Sequence, residues 1–258
     1  MLFWIEMNDK KHSKGDQSMA DGLSYFKQVY GEVPDWVKKM HAYSPKMLDY
    51  YTDFRGEAFK ENALSKKEKD QFIASANAGR LYQRSMIYHT KAAVGNGSSV
   101  EELVEHFLVA YLYKGVEALR LAVQAIEYAA ELTGQNALQS VLRADATAVE
   151  LLERIIAYLP VERQSFTKAV LKSVQDNSGR EQLEEKVLSS GAVASKTNHL
   201  NMVAQYITEL DGKGAQPWIQ RAREKNAIEA ELADVGYICI LTAGIPAWFE
   251  ISDSLLEN

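Results

Sequence analysis

Apolar positions along this chain recur three and four residues apart over long stretches, the spacing of one face of an α-helix. The clearest stretch is 100–132, where Leu103, Val104, Phe107, Leu108, Tyr111 and Leu112 follow that period. Ser99 precedes it with Glu102 three residues on, a pair that predicts a capping box at the helix start. Thr133-Gly134 closes it as a C-terminal stop. From Gly22 onward the text is helical nearly throughout, and no run alternates over a strand length between hairpin turns. The pattern predicts an all-α fold. Polar and charged residues fill 10–17, so residues 1–18 read as a flexible N-terminal arm.

The pattern also repeats. Ala42-Tyr-Ser-Pro45 matches Ala157-Tyr-Leu-Pro160 at an offset of 115, and Glu102-Leu103 through Gly115 matches Glu231-Leu232 through Gly244 at an offset of 129. The difference fits an insertion at the Gly- and Pro-bearing stretch 211–217. Two tandem helical pseudo-repeats follow, the first over 19–135 and a second, degenerate one over 136–258.

Composition narrows the function classes. The chain has 258 residues, 47% of them hydrophobic, enough for a sizeable core. A net charge of -6 leaves no electrostatic footprint for nucleic acid. A single cysteine, Cys239, rules out an intramolecular disulfide or a Cys-x-x-Cys pair. The apolar run 1–5 is too short for a signal peptide, and the run 235–249 falls short of the ~18–20 residues of a membrane span, so it reads as a buried core helix. The expectation is a soluble, cytoplasmic protein with no membrane partner. No histidine pair has metal-ligand spacing and no glycine-rich phosphate loop is present, so neither metal nor cofactor is expected.

One succession of motifs carries a resemblance. Phe26-Lys-Gln-Val-Tyr-Gly31-Glu-Val-Pro34, then Ser44-Pro45-Lys-Met-Leu48, then Ala63-Leu-Ser65-Lys-Lys-Glu68-Lys-Asp70 lead into Tyr82-Gln-Arg-Ser85-Met-Ile-Tyr88-His89 and Val100-Glu-Glu102-Leu-Val-Glu105. In this order they resemble the carboxymuconolactone decarboxylase family, over residues 22–132 and more faintly over 157–250. The resemblance implies an alkyl hydroperoxidase D-like helical bundle that assembles as an oligomer, here a homotrimer of two-repeat chains. The peroxidatic branch of that family carries Cys-x-x-Cys-x-x-x-His where this chain has Tyr82, Ser85 and His89. Without the thiols that peroxidase chemistry is excluded. The decarboxylase branch does not need the cysteines.

Tyr82, Ser85 and His89 stand at i, i+3 and i+7, one face of a helix. An imidazole beside a phenol and a hydroxyl can move a proton near neutral pH. Asp70 stands where the family carries a glutamate and is the candidate to orient His89. An unbroken helix would separate the two by ~28 Å and ~100°. Either the helix breaks near Asn77-Ala-Gly79, or the carboxylate enters from another side of the pocket. Held at offset 115, the second repeat offers Glu185, Thr197, Leu200 and Ala204 in these places, which leaves it without the histidine. Two functions follow from this reading. The first is a cofactor-free lyase or isomerase-type enzyme, a decarboxylase acting on a small carboxylated or lactone-like compound, with His89 as general acid/base. The second is a non-catalytic helical oligomer that binds a small molecule or a partner protein.

Overall fold

The computed structural model describes residues 21–136, 138 and 142–256; the arm expected over 1–18 lies outside them. Among the described residues there are fourteen α-helices, one short 3-10 turn and no strand, so the fold is all-α. The chain divides into two compact units, one ending at Gly56 and the other starting at Glu57.

The first unit contains α1 (Gly22–Tyr30), α2 (Asp35–Tyr43) and most of α3 (Pro45–Ala58). Asp21 caps α1 by accepting the Leu23 N–H. The aromatic residues here share one cluster, with Phe26 edge-on to Trp36 at 5.0 Å and parallel to Tyr51 at 6.2 Å.

The second unit holds α4 (Lys66–Gly79), α5 (Gln83–Gly95), α6 (Val100–Lys114), α7 (Val116–Leu132), α8 (Ala148–Ile156), α9 (Ser165–Gln175), α10 (Arg180–Val187), α11 (Ser195–Thr208), α12 (Gly212–Glu224), α13 (Glu229–Ala243) and α14 (Pro246–Ser252). The Ser99–Glu102 capping box forms at the start of α6, and Thr133 caps α7. The single helical stretch expected over 100–132 is two helices. Gly115 separates them at φ 82°, ψ -155°, a backbone conformation nearly confined to glycine. Likewise the stretch 235–249 is divided between α13 and α14 by Gly244 at φ 81°.

Helix starts recur. The first residues of α11, α12 and α13 each lie 129 residues beyond those of α4, α5 and α6. Leu81 and Leu210, both left-handed at φ 58° and 60°, mark the turns after α4 and α11 at the same offset. This corrects the register expected from offset 115. Glu185 lies in α10, while His199, Asp211, Gly214 and Trp218 hold the places of Asp70, Tyr82, Ser85 and His89.

Central helices α4 and α11 are buried on nearly every face, and their polar side chains are tied to neighbouring helices. Two of these ties are reciprocal. Glu105 of α6 accepts the backbone N–H groups of Ala192 and Val193 at 2.7 and 2.8 Å. Asp234 of α13, 129 residues on, accepts the Leu64 N–H at 3.0 Å and pairs with the fully buried Lys69 ammonium at 3.1 Å. Burial pushes the Glu105 carboxyl up, against the pull of its two backbone donors.

Between α4, α6 and α11 sits a polar cluster. Ser75 Oγ donates to the His106 carbonyl at 2.6 Å, and Asn201 Nδ2 reaches both Ser75 Oγ and His106 Nδ1. Because Nδ1 accepts, the proton sits on Nε2, which has no partner among the described residues. Burial first, and the Lys67 charge second, hold the His106 imidazole down at about 3. The unfolded chain therefore takes up this proton before the folded one does. Stability from this group is complete above its ordinary value near 6.5 and is lost as the pH falls toward 3. The expected slope is about 1.4 kcal/mol per pH unit. Denaturation midpoints measured between pH 7 and 4 should show a flatter acid limb for His106→Leu than for the parent; equal slopes would remove His106 as the cause.

Candidate functional site

Ser65 opens α4 with a second capping box, its Oγ accepting the Glu68 N–H while Glu68 accepts the Ser65 N–H at 2.9 Å. Alanines and glycine at 76, 78 and 79 let the chain close tightly, and α4 ends at Gly79. Arg80, Leu81 and Tyr82 form the turn, with the Tyr82 N–H on the Asn77 carbonyl at 2.8 Å. The helix break is therefore real, a few residues past Asn77. It folds α5 back along α4 and brings Asp70 and His89, about equally far from the turn, face to face.

His89 Nδ1 lies 2.7 Å from Asp70 Oδ1. The second carboxylate oxygen accepts from Asn96 Nδ2 at 2.9 Å. Asp70 is 3% exposed, whereas 12% of the His89 side chain is open to solvent. The Phe59 ring lies parallel to the imidazole, 6.0 Å between centroids. An ionised carboxylate only accepts, so the imidazole hydrogen sits on Nδ1 and Nε2 carries the lone pair. The assembly is an oriented imidazole with a buried carboxylate behind it, one face covered by an aromatic ring.

Ser85 lies one turn before His89 on α5. Its Oγ accepts from Asn77 Nδ2 at 3.0 Å, and Asn77 Oδ1 accepts from Thr242 of α13 at 2.9 Å. Ser85 is thus held by α4 and α13 on the same side of α5 as His89. Tyr82 differs from expectation. It is the non-helical N-cap of α5, at φ -103° and ψ 78°, and is 51% exposed, so the i, i+7 face relation to His89 does not apply to it. Sequence reasoning missed Asn96 and Asn77. Each lies seven residues after a named site residue, His89 or Asp70, a same-face spacing that could have flagged them.

The corresponding places in α11 and α12 carry other chemistry. His199 Nδ1 donates to the Ser195 carbonyl at 2.7 Å, and the Trp218 ring stands 6.5 Å from the imidazole. Asp211 caps α12 through the Gly214 N–H. No carboxylate–imidazole pair forms there. Cys239 is buried in α13, and burial pushes its thiol well up, away from the reactive thiolate. No group of three His, Cys, Asp or Glu side chains among the described residues could hold a metal ion. Nor is any described helix long and apolar enough to cross a membrane.

Comparison with known proteins agrees with this architecture. The structure is similar to the 1.70 Å crystal structure of a candidate gamma-carboxymuconolactone decarboxylase subunit from Burkholderia xenovorans LB400, with a TM-score of 0.55 and 17% identity. The match covers 93% of this chain and 98% of that one, and at this identity it is a likeness of fold. No curated protein matches the sequence. The model of the carboxymuconolactone decarboxylase family matches residues 45–128. That stretch, which holds Asp70, Ser85 and His89, is the part of the chain that is similar to the carboxymuconolactone decarboxylase family.

Proposed function

We propose that the protein is a cofactor-free lyase or isomerase-type enzyme of the decarboxylase branch, acting on a small carboxylated or lactone-like compound. The observation that carries this reading is the 2.7 Å contact between His89 Nδ1 and a buried carboxylate whose other oxygen is also bonded. That pairing makes Nε2 the basic nitrogen and stabilises the imidazolium formed when it takes a proton. Loss of carbon dioxide leaves a carbanion or dienolate, and the protonated His89 returns the proton to carbon. Ser85, fixed by Asn77, serves as a hydrogen-bonding group for the developing oxyanion. Tyr82, at the exposed turn before α5, is assigned to positioning the substrate.

The recurrence of helix starts at 129 residues supports two related units in tandem, the first carrying the dyad and the second without it. A homotrimer of such chains in the cytoplasm completes the proposal; the family resemblance supports the trimer and the single cysteine suits a reducing compartment.

The test is to incubate the protein with a panel of small lactones and unsaturated dicarboxylates, following substrate loss by mass spectrometry. An activity that His89→Ala abolishes is the expected result. Turnover that His89→Ala leaves intact would overturn the assignment. Binding without consumption would favour the non-catalytic reading.

A further inference from the structure

A cavity of about 420 Å³ opens between α7 and α8, and neither Asp70 nor His89 lines it. Its floor is apolar, formed by Val123 and Leu151, both nearly fully buried, together with Leu142. Its wall carries three guanidinium groups and one carboxylate, and the bonding of each decides what the cavity can take.

Arg154 is committed. Its Nε lies 2.7 Å from Glu127 Oε1, its Nη2 donates to the Leu138 carbonyl, and its plane covers the Tyr158 ring. Arg154 and Glu127 thus cancel. Arg143 faces Asp145 and Glu150 at 3.4 and 3.3 Å, on the open surface. Arg120 is different. It is half-buried, and among the described residues its guanidinium bonds the Ala146 carbonyl at 3.2 Å and no carboxylate. A guanidinium fork with donors to spare, set at the edge of an apolar floor, matches a carboxylate attached to an apolar body. The cavity is within the size range of small-molecule sites, roughly 300–1,000 Å³.

We propose that this cavity is a second ligand site, binding an organic monocarboxylate whose acid group pairs with Arg120 and whose apolar body rests on Val123, Leu142 and Leu151. Such a site lies apart from the dyad, so its occupant is an effector or a carried ligand and not the compound turned over.

The probe is 2-naphthoate, titrated into the full chain and followed by calorimetry. Saturable binding is expected, weakened about ten-fold or more by Arg120→Gln, the effect of losing one charge-assisted pair. The uncharged 2-naphthamide should bind more weakly by a similar factor. Gln124→Trp, which fills the cavity from an exposed wall position without altering charge, should also abolish binding. His89→Ala should bind the probe as the parent does. Circular dichroism of each variant establishes that it is folded. Absence of saturable binding by the parent, parent-like binding by folded Arg120→Gln, or equal affinity for the amide would overturn the proposal. Loss of binding in His89→Ala would overturn it too, because the probe would then sit at the dyad.

Discussion

Asp70→Asn should lower turnover by about 10²–10⁴-fold, the range that general acid–base catalysis supplies. The asparagine is nearly isosteric and can still accept from His89 Nδ1, so position is largely kept. What disappears is the buried negative charge behind the imidazole. The imidazolium formed during proton transfer then loses its counterion, and the amide can turn its NH₂ toward the ring and favour the other tautomer. The loss should fall on kcat more than on KM, because the carboxylate faces His89 and not the substrate. Nitrogen NMR of the imidazole gives a second readout, with the parent as the Nδ1–H tautomer and the variant shifted from it. Asp70→Glu restores the charge and should recover part of the activity. A variant with parent-like kcat would mean that the dyad is architectural.

Lys69→Met should lower the unfolding free energy by about 3–5 kcal/mol, the usual cost of stripping one partner from a buried ion pair. Lys69 is wholly buried and Asp234 is 3% exposed. Methionine fills the space of the side chain and strands the Asp234 charge, with the Leu64 N–H as its remaining donor. It also leaves the Lys60 carbonyl without the ammonium that donates to it at 2.6 Å. The pair itself adds little net stability, since removing two charges from water nearly offsets their attraction. The double variant Lys69→Met with Asp234→Asn, which keeps an acceptor for Leu64, should therefore regain much of the loss. Urea titration of the three proteins decides it. A single variant within about 1 kcal/mol of the parent would mean that the charge is solvated.

Helical class and caps were legible in the sequence because each rests on local spacing, whereas Asp70 came from the family resemblance. Ser99 with Glu102 and Thr133-Gly134 acted as their spacing predicts. The pairing of Asp70 with His89 needed the turn at 80–82, and small residues at 76, 78 and 79 signalled a break nearby. Register in the second half was not legible. Its central helix starts from Ala194, without the serine cap of α4, and His199 and Trp218 replace the site pair. Nothing local marked where the helix began, so a match between Ala42-Tyr-Ser-Pro45 and Ala157-Tyr-Leu-Pro160 set the wrong offset. The break at Gly115 carries no signal in the pattern because apolar spacing continues across the change of helix direction. Long-range polar ties such as Thr242 to Asn77 join residues 165 apart, and no spacing rule reaches that far.

The exchange between Glu105 and the amides of Ala192 and Val193 has an evolutionary consequence. Its donors are main-chain groups, which any residue except proline supplies. Most substitutions in the half lacking the dyad therefore leave this grip intact, Gly191 excepted, where a side chain would press on the Glu105 carboxylate. Drift of side chains is cheap there, while deletion of the segment would leave a buried carboxylate with no donors. The half without the Asp–His pair thus grips its neighbour through its backbone, and its sequence can diverge further than its fold.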